Sequence, residues 1–125
     1  MDYLYVIIGG GIGSALRYFS SRTIDNIFNT KFALGTIFVN CLGALLVGLL
    51  FNIFVSFPLD NKWKLFAIVG FLGGYTTFSA YSLETINYFV SGNIKYAVMN
   101  ILVSNVLCLL FVLLGMWLSR IIFVK

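Results

Sequence analysis

The segment Gly70–Glu84 reads GFLGGYTTFSAYSLE, and its interpretation fixes what kind of protein this is. It closes a run from Leu65 to Leu83 without a single Asp, Glu, Lys or Arg, close to the ~20 residues a helix needs to cross a bilayer. Within that run stand two adjacent glycines, Gly73 and Gly74, and two β-branched residues, Thr76 and Thr77. Both residue types are poor helix formers and Gly73-Gly74 can take unusual dihedrals, so the spacing predicts a helix broken at this Gly-Gly-x-Thr-Thr motif. Backbone groups freed at membrane depth must be satisfied by protein, water or an ion. Carbonyls turned inward there suit a small hard cation, and a plain kink or close helix crossing is the simpler reading. Beyond the break, Phe78 and Tyr81 share one helical face, with Thr85 a turn further on. Aromatics at that spacing pack helices, or offer their positive ring edges to an anion in a dry, narrow pore. Ser79, Ser82 and Thr85 add hydroxyl donors nearby. Glu84 is the one acidic residue within a span, read as a proton site, a paired structural charge or a solvated vestibule residue.

Charge-free runs recur on either side. They extend from Phe32 to Leu59 and from Tyr96 to Ser119, and Tyr3 to Leu16 continues past Arg17 to about Ser21 if Arg17 snorkels to the interface. The chain is therefore an all-α membrane protein with four transmembrane helices, spanning approximately residues 3–21, 32–57, 65–90 and 96–120, in one transmembrane domain over residues 1–125. Composition agrees: 61% of the 125 residues are hydrophobic and 10% charged, where a soluble domain carries roughly 25% charged residues. With no His, one Glu and three Asp, a His-ligated metal site or a Ser-His-Asp triad cannot be built, so the chain is read as no enzyme. The first span lacks the basic start and A-x-A-like site of a cleaved signal peptide, and is read as retained.

Lys62, Lys64, Arg120 and Lys125 fall on one side of the membrane, and Arg17, Arg22, Lys31 and Lys95 on the other, four against four. The positive-inside rule then has nothing to act on. That balance points to insertion in both orientations and an antiparallel dimer. The basic residues stand singly at helix ends without forming a patch, which excludes nucleic acid as partner. Small residues at close-packing spacing, Gly9 with Gly13 and Gly35, Gly43, Ala44 and Gly48 in the second span, serve packing within one subunit or between two.

Other polar residues lie where they could line a pathway. Asn40 sits mid-span one turn after Thr36, able to donate to an anion or to cap a neighbouring helix break. Asn100, Ser104 and Cys108 recur every four residues along the fourth span, and helix–helix hydrogen bonding is the plainer explanation. Gly9 to Gly13 lacks the third glycine of a dinucleotide loop, Ser14 standing there. Cys41 and Cys108 lack metal or disulfide spacing and read as small buried residues.

Three stretches in order, GGGIGSALRY (Gly9–Tyr18), GTIFVNCLG (Gly35–Gly43) and GFLGGYTTFSAYSLE (Gly70–Glu84), resemble the CrcB/Fluc fluoride ion channel family over essentially the whole chain. The resemblance implies an antiparallel, dual-topology dimer of four-helix subunits in the cell (plasma) membrane, multi-pass and of bacterial inner-membrane type. It exports fluoride by passive, selective conduction and so confers fluoride resistance. It implies a fluoride pathway at Asn40, Thr77, Phe78, Tyr81 and Ser104, a pore entrance and vestibule at Arg17 and Glu84, and a structural Na+ at the dimer interface held by the backbone carbonyls of Gly73 and Thr76.

Tyr81 stands where the family usually has Phe, Tyr75 where smaller or aliphatic residues are common, and Cys108 where Ser is common. The alternative is a non-conducting or partly degenerate partner subunit of a heterodimeric channel. A small proton-coupled multidrug transporter is the remaining competitor, and its essential Glu should lie in the first span, which has no acid beyond Asp2.

Overall fold

A computed structural model describes residues 1–123, and among them every regular element is helical. Helix α1 runs Asp2–Phe28, continuing past Ser21, where the apolar pattern fades. It stops at Asn29, whose left-handed backbone (φ 44°, ψ 45°) returns its N–H to Asp25 O, a conformation Asn tolerates better than most residues. Helix α2, Leu34–Ser56, starts against α1: the Asp25 carboxylate accepts the Gly35 N–H at 2.8 Å, satisfying one of the orphan donors at the helix N-terminus. A Cβ on Gly35 would press on Ser21 O, a backbone atom of α1, as well as on both Asp25 carboxylate oxygens at 2.8 Å, so this close approach calls for glycine.

The third segment is composite. α3 (Asn61–Lys64) is capped by Asp60, whose carboxylate accepts the Lys62 N–H; that bond and the ammonium 3.1 Å away hold the Asp60 carboxyl below its usual range. A π-helix over Leu65–Leu72 and the turn α4 (Gly73–Tyr75) continue the same rod. Thr76 (φ −85°, ψ 157°) and Thr77 (φ −148°, ψ 113°) are extended, and α5 (Phe78–Val90) resumes. The break expected at the Gly-Gly-x-Thr-Thr motif therefore falls on its two threonines. Gly73 keeps ordinary helical dihedrals (φ −61°, ψ −35°), and Gly74 instead permits close approach, since a Cβ there would stand 3.1 Å from the Gly10 Cα. A turn with Gly92 at φ 79° leads into α6, Ile94–Phe123.

The helices pack as two close pairs. α1 lies on the third segment through glycines on both partners: a Cβ on Gly9 would be 2.9 Å from Phe71 N, and one on Gly70 would be 2.9 Å from Val6 O. α2 lies on α6 through Gly48 and Gly115, where a Cβ on either would be 3.1 Å from an atom of the other. Both glycine sets thus work within one subunit. Asn52 Nδ2 donates to Met116 O (2.7 Å) and Ser119 Oγ (2.8 Å), clamping the same pair.

Large apolar side chains stay uncovered. Leu109 is 68% and Trp117 58% exposed, while Asn100 and Ser119 are buried. α2 and α6 are each long and apolar enough to cross a membrane, and only 17% of the most apolar window in α6 is buried. A core helix of a soluble protein would be covered; these present their apolar sides outward and enclose hydrogen-bonded polar groups, as expected when lipid is the solvent.

Candidate functional site: the helix break and its groove

Interrupting a helix strands the donors that open the next turn and the carbonyls that close the last. Here α2 supplies the repair. Asn40 Oδ1 accepts the Thr77 N–H at 2.7 Å, and Asn40 Nδ2 donates to Thr77 O at 3.0 Å, so one amide side chain pairs with the peptide groups of a single residue. Thr77 Oγ1 then caps α5 by accepting the Ala80 N–H at 3.1 Å. On the other side Thr76 donates both its N–H and its hydroxyl to Leu72 O, each at 3.0 Å, and Arg17 Nε donates to Gly74 O at 3.0 Å. The carbonyls of Gly73 and Thr76 take no part in these bonds.

A groove of about 390 Å³ opens beside the break. Its lining includes Asn40, Thr76, Thr77, Phe78, Tyr81, Ser104, Asn105 and Cys108, so Asn40, Thr77, Phe78, Tyr81 and Ser104, scattered over three spans in the sequence, meet in one place. The Phe78 and Tyr81 rings lie 5.3 Å apart, tilted by 47°, and Phe78 is 77% exposed.

Several of the other polar side chains have partners within the fold. Arg17 lies within α1, which runs on to Phe28, and its Nε is bound to Gly74 O. Ser82 and Thr85 return their hydroxyls to Phe78 O (2.8 Å) and Tyr81 O (2.7 Å) within α5, as helical Ser and Thr commonly do. Ser104 is buried and donates to Asn100 Oδ1 (3.2 Å), while Asn100 Nδ2 donates to Thr85 Oγ1 (2.9 Å). Glu84 is half-buried one turn beyond Tyr81: Thr36 Oγ1 donates to Oε1 at 2.5 Å, and Oε2 is buried without a partner among the described residues. Neither Arg17 nor Glu84 lines the groove. Cys41 and Cys108 are free thiols whose sulfurs lie 4.0 Å apart across α2 and α6.

Asn105 was not singled out by the sequence. Counting in fours from Asn100 passes over it, yet its amide reaches Tyr81 OH (3.0 Å) and Ile101 O (2.7 Å). An amide in an otherwise apolar stretch, next to Ser104, was the available signal.

The donors fit a hard cation better than a soft one. Among the described residues no three His, Cys, Asp or Glu side chains cluster to hold a metal, whereas backbone oxygens at the end of an interrupted half-helix are the ligands such breaks offer to Na+.

An all-helical chain with uncovered apolar helices, a break sealed from a neighbouring helix and a groove beside it defines a helical membrane protein of the broken-helix kind. Comparison with known sequences narrows this. Residues 4–116 match the family described as CrcB-like protein, Camphor Resistance (CrcB), and the chain belongs to that family. It is similar to proteins named fluoride-specific ion channel FluC. That of Ruminiclostridium cellulolyticum is 43% identical over 113 residues, covering 90% of this chain and 87% of the relative. That of Koribacter versatilis is 41% identical over 117 residues, covering 90% of each. The Coxiella burnetii protein is 38% identical over 123 residues, covering 96% of this chain and 98% of its own.

Proposed function

We propose that this chain is a fluoride-specific ion channel subunit, not an enzyme, that lowers cytoplasmic fluoride by passive conduction across the cell membrane. The observation that carries the reading is the groove at the sealed helix break, where tilted aromatic rings and hydrogen-bonding groups converge. Fluoride is small and tightly hydrated, so a selective path must replace its water with donors. Asn40 keeps one amide hydrogen beyond the one given to Thr77 O; Tyr81 contributes its hydroxyl, and Phe78 and Tyr81 their electropositive ring edges. Arg17, although bound to Gly74 O, keeps its charge and raises the anion concentration nearby.

The functional unit is an antiparallel, dual-topology homodimer. The even distribution of Lys and Arg supports this, as does Phe78, a large aromatic ring left open beside the groove. Backbone carbonyls of Gly73 and Thr76 would hold a structural sodium ion at the interface, where its charge offsets the carbonyl dipoles of the two breaks. Glu84 and Thr36 form a polar pair one turn from the groove, at the vestibule.

The test is reconstitution of the purified chain alone in liposomes, with efflux followed by a fluoride-selective electrode and chloride as control anion. Rapid fluoride release without chloride release is expected. No release from folded dimers would assign the chain to a heterodimer with a paralogous subunit.

A further inference from the structure

Tyr81 has a hydroxyl whose direction is fixed from outside. The atom of Asn105 that lies 2.7 Å from Ile101 O also lies 3.0 Å from Tyr81 OH. A backbone carbonyl can only accept, so that atom is the amide nitrogen, and its two hydrogens go one to each oxygen. The phenol oxygen is therefore an acceptor here, and its single proton must be donated elsewhere. Among the described residues nothing accepts it. Other groove hydroxyls differ: Ser104 donates to Asn100 Oδ1 at 3.2 Å, Thr76 to Leu72 O at 3.0 Å, and Thr77 shares a bond with Ser79 at 3.2 Å.

We propose that Tyr81 and Asn105 form a hydrogen-bond donor subsite for a small hard anion, with Tyr81 donating to the ion and Asn105 as the positioning residue that turns the phenol proton into the groove. That the anion is fluoride rests on the function proposed above. The chemistry favours it on two counts. A phenol that already accepts an N–H bond is a stronger donor, because hydrogen bonds in a chain polarise one another. A charge-assisted O–H bond is short and strong, which favours the smaller ion because its charge approaches more closely. The Phe78 ring, its centroid 5.3 Å from that of the Tyr81 ring, lines the same groove and adds an apolar wall to it. Tyr81 is then a working member of the groove, binding through a hydroxyl where a phenylalanine would offer only its ring edge.

Fluoride titration calorimetry on the detergent-solubilised protein, paired with liposome efflux, tests this. Tyr81→Phe should weaken fluoride binding about tenfold, the worth of one hydrogen bond to a charged group. Asn105→Leu should weaken it about threefold, since the phenol keeps its proton but loses its direction and polarisation. The double variant should bind like Tyr81→Phe alone, a non-additivity that loss of packing at two sites would not produce. Unchanged binding in folded Tyr81→Phe overturns the proposal, as does an Asn105→Leu effect that persists in the Tyr81→Phe background. Weaker dimerisation of Tyr81→Phe with unaltered fluoride affinity would also overturn it, assigning the proton to a second copy of the chain. If the wild type binds fluoride through Tyr81 yet releases none from liposomes, the homodimeric channel reading fails and the subsite stands.

Discussion

Removing the Asn40 side chain should destabilise the protein by about 1–2 kcal/mol, and the structure shows where that figure comes from. Thr76 and Thr77 are extended, so the Thr77 N–H has no helical acceptor and depends on Asn40 Oδ1 at 2.7 Å. In Asn40→Ala that donor is stranded, at about 1–3 kcal/mol for an unsatisfied buried polar group. The second bond, Nδ2 to Thr77 O at 3.0 Å, costs less when lost, because the carbonyl of an N-cap residue also receives the first bond of its own helix. It adds up to about 1 kcal/mol, the net worth of an ordinary hydrogen bond. Asn40 is only partly covered, and water entering from the groove recovers some of the loss, which places the total at the lower end of the sum. Asn40→Asp separates the two bonds: it keeps an acceptor for the N–H, loses the donor, and should recover at least half of the stability lost in Asn40→Ala. Reversible unfolding in mixed detergent micelles, followed by circular dichroism, gives both values. If Asn40→Ala lies within about 0.5 kcal/mol of wild type, the break is held by something other than this amide, and the account of the site fails with it.

Two further outcomes are expected. Gly115→Ala should cost roughly 2 kcal/mol or more, because the new methyl would press on Leu45 O and stand 2.9 Å from Leu49 N, both backbone atoms of α2; Gly11→Ala, with nothing within 4 Å, should melt like wild type or slightly above it, and equal thermal melts for the two variants would refute the crossing geometry. Replacing sodium with a bulky organic cation should lower the melting temperature if the Gly73 and Thr76 carbonyls bind it, by the equivalent of about 2.7 kcal/mol when sodium had stood at one hundred times its Kd; a melt indifferent to sodium from zero to molar concentration would remove the ion from the site.

Much of this protein is legible in its residues one at a time. Lipid as solvent follows from an apolar fraction that no soluble surface could carry, and α2 at Leu34–Ser56 fits inside the 32–57 run because a charge-free stretch has bounds that need no partner to define. The broken third segment was also legible, at the Gly-Gly-x-Thr-Thr motif of residues 73–77. Within that motif Gly73 and Gly74 remain helical, Gly74 lying against Gly10 of α1, and the chain opens at Thr76–Thr77, where Asn40 of α2 replaces the missing bonds. The partner of Arg17 was not legible in the same way: Gly74 O, which takes its Nε, lies 57 residues along the chain.

What needed the tertiary structure were the pairings across long sequence separations. Asn40 with Thr77, Thr36 with Glu84, Cys41 with Cys108 and Asn52 with Ser119 join residues 37 to 67 positions apart, and no periodicity within one helix can select such partners. Whether a polar side chain is a free donor or an occupied one depends on which carbonyl or hydroxyl the neighbouring helix brings within 3 Å. For that reason the motifs could name Tyr81 and Ser104 as candidate pathway positions, and the bond of Ser104 to Asn100 four residues earlier follows the spacing within α6, while only the packing of α5 on α6 brought Asn105 to the Tyr81 hydroxyl.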